Sequence, residues 1–184
     1  MAQKRGKDMQ ESSGKKKEDK AADLKKEIQA LIDANNLHLC VECGKCSAVC
    51  PMVNFYGEYV PNRCTRSVVE RLRFSSDFMG DEALWYCWAC KECTFFCPSG
   101  VDFQRFMTGL RLLLVSHGYR DQAHFCDVCG DYLMPKRQLE CLEATLNKKP
   151  NKELLYECPK CKMGRYANVL HSLAGTGGVR VRTE

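Results

Sequence analysis

The sequence predicts a mostly α-helical fold followed by a small cysteine-rich module. Three observations carry this. Apolar residues recur at helical spacing in separate stretches, while the period-two alternation of strands is scarce. A run with four cysteines and a final proline occurs twice, as "CVECGKCSAVCP" at 40–51 and "CWACKECTFFCP" at 87–98. Beyond residue 120 the cysteines fall instead into two isolated C-x2-C pairs.

These features divide the 184 residues into four pieces. Residues 1–20, basic and of low hydrophobicity, read as a disordered tail. Residues 21–119 form the helical domain. It opens with "AADLKKEIQALIDANN", in which Leu24, Ile28, Leu31 and Ile32 share one helix face and Asn35-Asn36 end it. Thirty-six residues separate Cys50 from Cys87. Within them Pro61 suits a first helical position, and Cys64, Val68 and Leu72 follow at i, i+4 and i+8. After the second repeat, Asp102 stands ready to cap a helix. Its apolar stripe is Phe103, Phe106, Met107, Leu110, Leu113 and Leu114, and Gly118 suits its C-terminal end. Residues 120–170 carry the two pairs, and the Gly-rich stretch 171–184 reads as flexible.

The net charge of +5 sits mostly at one end, since residues 1–26 hold nine basic and five acidic side chains. The remainder is nearly neutral and lacks the basic footprint of a nucleic-acid binder. The basic start has no apolar run behind it, so it does not read as a secretory signal. Apolar runs such as "LLLV" at 112–115 are too short to cross a bilayer. The expected location is therefore the cytoplasm, where thiols stay reduced. Fourteen cysteines in that setting point to metal binding rather than disulfides.

Each repeat has the spacing C-x2-C-x2-C-x3-C-P, the ligand run of bacterial [4Fe–4S] ferredoxins. A cubane cluster offers four iron corners, and each takes one soft thiolate. Three cysteines at three-residue spacing wrap a loop around three corners. The fourth follows a wider gap beside a chain-turning proline and, in two-cluster proteins, ligates the other cluster. One [4Fe–4S] cluster is assigned to Cys40, Cys43, Cys46 and Cys97, the other to Cys87, Cys90, Cys93 and Cys50. Cys64, outside both runs, reads as a small buried apolar residue. Trp85, Tyr86, Trp88, Phe95 and Phe96 crowd the second motif and read as core filling. Lys45 and Lys91 read as solvated.

The later pairs are Cys126-x2-Cys129 and Cys158-x2-Cys161, with 28 residues between them. Zinc ribbons separate their pairs by about 15–20. Gly130 and Pro159 suit tight turns, and four thiolates close a structural Zn²⁺ site. Rubredoxin-type iron takes the same ligands, and four unligated thiols are the remaining reading. Cys141 lies between the pairs in a short helical pattern, as a core residue or as a substitute for one ligand. His38, His117, His124 and His171 lack metal-ligand spacing.

The sequence carries no dinucleotide-binding glycine motif, P-loop, nucleophile elbow or HExxH. A chain with two clusters and no substrate site passes electrons and leaves the chemistry to others.

The segments "CVECGKCSAVCP" with "GEYVPNRCTRSVVERLRF", and "LWYCWACKECTFFCPSGVDF" with "RFMTGLRLLLVSHG", carry a family likeness. Over about residues 22–119 the chain resembles the helical dicluster ferredoxins and, among them, the C subunits of heterodisulfide reductases. The resemblance implies an α-helical ferredoxin-like domain with two [4Fe–4S] clusters. It implies an iron–sulfur subunit of a cytoplasmic, anaerobic oxidoreductase complex, without a substrate-converting site of its own. Such a subunit relays electrons between a flavin-containing subunit and a cysteine-rich catalytic subunit. Similar modules occur in fumarate reductase, glycolate oxidase and anaerobic glycerol-3-phosphate dehydrogenase complexes. A redox-sensing interaction protein is the reading from a different class. The zinc-ribbon-like module at 126–161 lies outside the family pattern.

Overall fold

The computed structural model describes residues 22–57, 60–74, 78–79, 81–146 and 152–175. The tail expected at 1–20 lies outside these residues, as does the end beyond 175. The chain divides into two compact units, residues 1–122 and 123–184. Helix dominates the described residues, as the periodicity predicts.

The first unit opens with helix α1, residues 22–34. Its predicted apolar face turns inward: Leu24 and Ile28 are 2% and 4% exposed, and Leu31 and Ile32 are half-buried. The two asparagines end it by different means. The Asn35 side chain donates to the Leu31 carbonyl at 2.8 Å, beside its own backbone N–H, which reaches the same oxygen at 3.2 Å. Asn36 adopts the left-handed backbone, φ 59°, which asparagine tolerates. The Asn35 carbonyl then accepts from the Asp102 N–H at 3.0 Å, tying the end of α1 to the start of the long helix.

That long helix, α7, spans Phe103–Ser116 and forms the centre of the unit. The Asp102 carboxylate caps it by accepting from the Arg105 N–H at 3.1 Å. Phe106, Met107, Leu110 and Leu114 are fully buried. Burial of each such side chain contributes about 1.5–3 kcal/mol. Gly118, φ 96°, closes the helix, and the Tyr119 N–H reaches the Leu114 carbonyl at 2.9 Å. Gly109 permits the approach of α1, because a Cβ there would sit 3.0 Å from Leu31 Cδ2.

Between α1 and α7 run short helices: α2 Lys45–Ala48, α3 Met52–Tyr56, α4 Thr65–Phe74, α5 Ala83–Tyr86 and α6 Glu92–Phe95. Pro61 opens a 3-10 turn, Pro61–Arg63, rather than α4 itself. Cys64 follows in an extended conformation, ψ 164°, which breaks the helical path before Thr65. Val68 and Val69 on α4 are buried. Trp85 and Tyr86 fill the core as expected, at 4% and 3% exposure. Phe95 and Phe96 do not. They lie at the surface, 79% and 46% exposed, with rings edge-to-face at 5.1 Å. Cys93 turns inward on the one-turn helix α6, Phe95 two places on faces the opposite way, and Phe96 follows as the helix C-cap.

The second unit begins with an antiparallel hairpin, β1 Ala123–Phe125 and β2 Tyr132–Pro135. Ala123 pairs with Pro135 and His124 with Met134, and an irregularity follows before Phe125. The hairpin packs on α8, Lys136–Leu146, through which Leu139 is buried. A 3-10 turn, Lys152–Tyr156, leads to α9, Pro159–Gly175. Pro159 is the first residue of α9 and does not sit in a turn between strands, the arrangement a ribbon of two hairpins would need. Its fixed φ and missing N–H suit that first helical position. Residues 171–175, expected from the sequence to belong to a flexible end, continue this helix.

Candidate iron–sulfur and thiolate-metal sites

The two sequence repeats are also two copies of one backbone. Glu42 and Ala89 have φ 54° and 52°; Gly44 and Lys91, two residues on, have φ 79° and 76°. Each pair initiates a one-turn helix, α2 or α6. Val49 then donates to the Lys45 carbonyl at 3.1 Å, and Phe96 to the Glu92 carbonyl at 3.1 Å. Cys50 and Cys97 close the loops through Ser47 and Thr94, at 3.4 and 3.3 Å. Lys91 thus occupies the backbone position of Gly44, where a side chain is strained. Helices α2 and α6 pack against one another, which brings the two loops together.

The thiols of these loops differ in surroundings. Cys43 and Cys90 are exposed, Cys93 is buried, and Cys40, Cys46, Cys50, Cys87 and Cys97 lie between. Burial pushes Cys93 up to about 12, against the lowering effect of the Thr65 hydroxyl. Burial also raises Cys46, Cys50 and Cys87. After burial and an opposing backbone N–H from Met52, Cys50 is raised by the charges of Cys87 and Cys90, members of the other repeat. The fourth cysteine of the first loop therefore lies in the electrostatic neighbourhood of the second. Buried thiols in this state ionise on binding a soft metal and release their protons. The residue types and surroundings fit an iron–sulfur site.

Cys64 is 7% exposed, as a small apolar residue would be. It is also a neighbour of the first loop: it accepts from the Ser47 hydroxyl at 3.2 Å, and its charge contributes to raising Cys46 and Cys50.

Two arginines that the motif spacings do not single out brace the loops at equivalent points. Arg73 Nη2 donates to the carbonyls of His38 and Cys40 at 3.0 and 3.1 Å. Arg111 Nη2 donates to the carbonyl of Cys87, and its Nε to that of Leu84 at 2.8 Å. Cys40 and Cys87 are the first cysteines of their repeats. Arg111 interrupts the apolar stripe of α7, between Met107 and Leu114, and a charge in that place was the available signal. An aromatic group flanks the second loop as well. Trp88 Nε1 donates to the Tyr56 hydroxyl at 2.7 Å, and Phe55 stacks on Trp88 at 4.1 Å.

In the second unit, the sulfurs of Cys126, Cys129, Cys158 and Cys161 all lie within 4.8 Å of one another. The Cys129 and Cys158 sulfurs are 3.7 Å apart. The first pair is held by the hairpin, where Gly130, φ 75°, turns the chain and its N–H donates to the Cys126 carbonyl at 2.9 Å. The second pair is held by the start of α9. Burial raises the Cys126 thiol, yet the N–H groups of Cys129, Cys158 and Val128 outweigh it and bring the thiol down to about 6. The Cys158 N–H lies 3.2 Å from that sulfur. Cys161 is pushed up to about 12, chiefly by its hydrogen bond with the Cys158 side chain. Four mutually close sulfurs that accept backbone N–H groups fit a tetrahedral thiolate-metal site. Cys141, on α8, is outside this set of four.

Residues 36–101, which hold the first site, match the 4Fe-4S dicluster domain. The matched domain covers both repeats and the spacer between them. The chain is 30% identical over 88 residues to a heterodisulfide reductase protein of the C-subunit-like kind from Archaeoglobus profundus, covering 48% of this chain and 46% of that one. It is 29% identical over 99 residues to the C subunit of the ferredoxin:CoB-CoM heterodisulfide reductase of Methanosarcina acetivorans, covering 53% and 38%. It is 26% identical over 103 residues to the protein of that name from Methanosarcina mazei, covering 55% and 62%. The matched stretch spans about half the length of these curated relatives. No solved structure matches. Among the described residues, no helix is long and apolar enough to cross a membrane.

Proposed function

We propose that this chain is the electron-relay subunit of a cytoplasmic oxidoreductase complex of the heterodisulfide reductase type. Its dicluster domain holds two [4Fe–4S] clusters, one on Cys40, Cys43, Cys46 and Cys97 and the other on Cys87, Cys90, Cys93 and Cys50. Such clusters supply one-electron transfer at low potential. The chain's own residues bind and orient them, and Trp85, Tyr86 and the α7 core exclude water from one side. The partners are a flavin-containing subunit and a cysteine-rich catalytic subunit. The four cysteines of the second unit hold one structural Zn²⁺. The observation that carries this reading is the duplication of the loop in backbone as well as in sequence, with the copies packed side by side. The packing of α2 against α6 puts the two loops side by side, as exchanged fourth ligands require.

The test is reconstitution. Anaerobically prepared chain holds about eight irons and eight sulfides, as two cubanes require. It accepts electrons from a low-potential donor and converts no substrate alone. Mixed with flavin and cysteine-rich subunits from the same source, it restores electron flow between them. Full turnover in a mixture lacking this chain would refute the relay.

A further inference from the structure

We propose that Arg111 is the buried counter-cation of the cluster held by Cys87, Cys90 and Cys93, raising that cluster's reduction potential selectively. The inference rests on the two-cluster reading and adds the order in which the clusters fill.

Arg111 is 3% exposed. Among the described residues its hydrogen bonds go to two carbonyl oxygens, Leu84 and Cys87, and no ion pair with a carboxylate is found. A buried cation without an anion is strongly destabilising. The negative charge at hand is that of the second loop, whose first cysteine, Cys87, offers Arg111 its carbonyl. Arg111 therefore has the geometry of a counter-ion to whatever negative charge the second loop carries.

Arg73 provides the internal comparison. It braces the equivalent cysteine, Cys40, through the equivalent carbonyl. Its charge is spent elsewhere: Glu42 sits 3.3 Å away, and its side chain is 30% exposed. One loop thus has a partly exposed arginine paired with a carboxylate, and the other a buried arginine at the carbonyl of its first cysteine. Reduction adds one electron and one unit of negative charge, and it neither makes nor breaks a bond. A fixed cation in low-dielectric surroundings favours the more negative state. Burial of Cys87 and Cys93 works in the opposite direction, and Arg111 lies inside that same buried region, where its attraction is least screened.

The experiment is a potentiometric titration of the intact chain, followed by electron paramagnetic resonance, on wild type, Arg111→Gln, Arg111→Lys and Cys43→Ser. Cys43→Ser labels the first cluster by moving its wave. Wild type titrates in two waves, and Cys43→Ser moves the more negative one. Arg111→Gln lowers the other wave at least tenfold in reduced-to-oxidised ratio, which is about 59 mV for one electron, while Arg111→Lys restores most of it. Arg111→Gln with full iron and unmoved waves, or with both moved equally, overturns the proposal. If Arg111→Gln loses its iron, the order decides alone, and movement of the higher wave by Cys43→Ser overturns it. Wild type with four irons would instead remove the two-cluster reading beneath it.

Discussion

The Sγ atoms of Cys129 and Cys158 lie 3.7 Å apart, although 29 positions separate them in the chain. A tetrahedron with metal–sulfur bonds of about 2.3 Å has edges of about 3.8 Å. The chain is predicted to carry one equivalent of zinc beyond its cluster iron. Cys129→Ser and Cys158→Ser lose that equivalent and keep the iron, whereas Cys141→Ser keeps both. Elemental analysis of the purified variants decides the matter. Retention of zinc in Cys129→Ser would show that the ion sits elsewhere.

Crossed ligation has a directional signature. Cys97→Ser is predicted to disturb the cluster of Cys40, Cys43 and Cys46, and Cys50→Ser the cluster of Cys87, Cys90 and Cys93. Spectra of the two variants, compared with Cys43→Ser and Cys90→Ser, assign each wave. If each fourth cysteine affects its own loop's cluster, the ligand sets are uncrossed.

Lys91 bears the conformation that Gly44 bears in the other repeat. A side chain in the left-handed region costs about 1–2 kcal/mol relative to glycine. Lys91→Gly is predicted to stabilise the first unit by about 1 kcal/mol, and Gly44→Ala to destabilise it by a similar amount. Anaerobic thermal melts would show opposite shifts in midpoint. A fall in the Lys91→Gly midpoint would mean that the lysine makes a contact outweighing its strain.

Tyr156 and Glu143 share a short hydrogen bond in which the phenol donates. That bond is the leading cause that raises the Tyr156 phenol above its ordinary value of 10.0. A phenol raised on folding stabilises the folded state below the unfolded value and loses that contribution as pH climbs through the folded one. Stability of the second unit is therefore predicted to be flat with respect to this group up to about pH 10 and to fall beyond it. In Tyr156→Phe the alkaline fall shrinks and one late-ionising phenol disappears from the ultraviolet titration. An unchanged titration in Tyr156→Phe would count against the bond.

Much of the dicluster domain was legible because cluster chemistry demands cysteines at fixed spacing, and helix caps demand particular residues at helix ends. Asp102, Gly118 and the Asn35-Asn36 stop all sit where the sequence placed them. The failures have physical reasons too. Phe95 and Phe96 look like core residues by type, but Phe95 lies opposite the inward Cys93 on a single helical turn, and Phe96 falls at the end of that turn. Pro61 suits a helix start, yet the extended Cys64 delays the helix to Thr65. Arg111 escaped notice because its meaning depends on α5 and the second loop, which reach it only in three dimensions. The start of α9 at Pro159 was equally hidden, since C-x2-C spacing fits a hairpin turn and a first helical turn alike.

The hydrogen bond from the Asn36 side chain to the Gly100 carbonyl, 64 positions later, has a consequence during synthesis. Together with the Asn35–Asp102 bond it fastens the chain around both cysteine loops. On a translating ribosome, at about 5–20 residues per second, Cys97 is made roughly two to nine seconds after Cys50. Through that interval the nascent first loop has neither its packing partner α6 nor the α7 core beneath it. On the exchanged ligand sets proposed above, the first loop also lacks its fourth ligand until Cys97 has been made. Slow codons in the spacer would lengthen the time in which the first thiols stand open to oxidation.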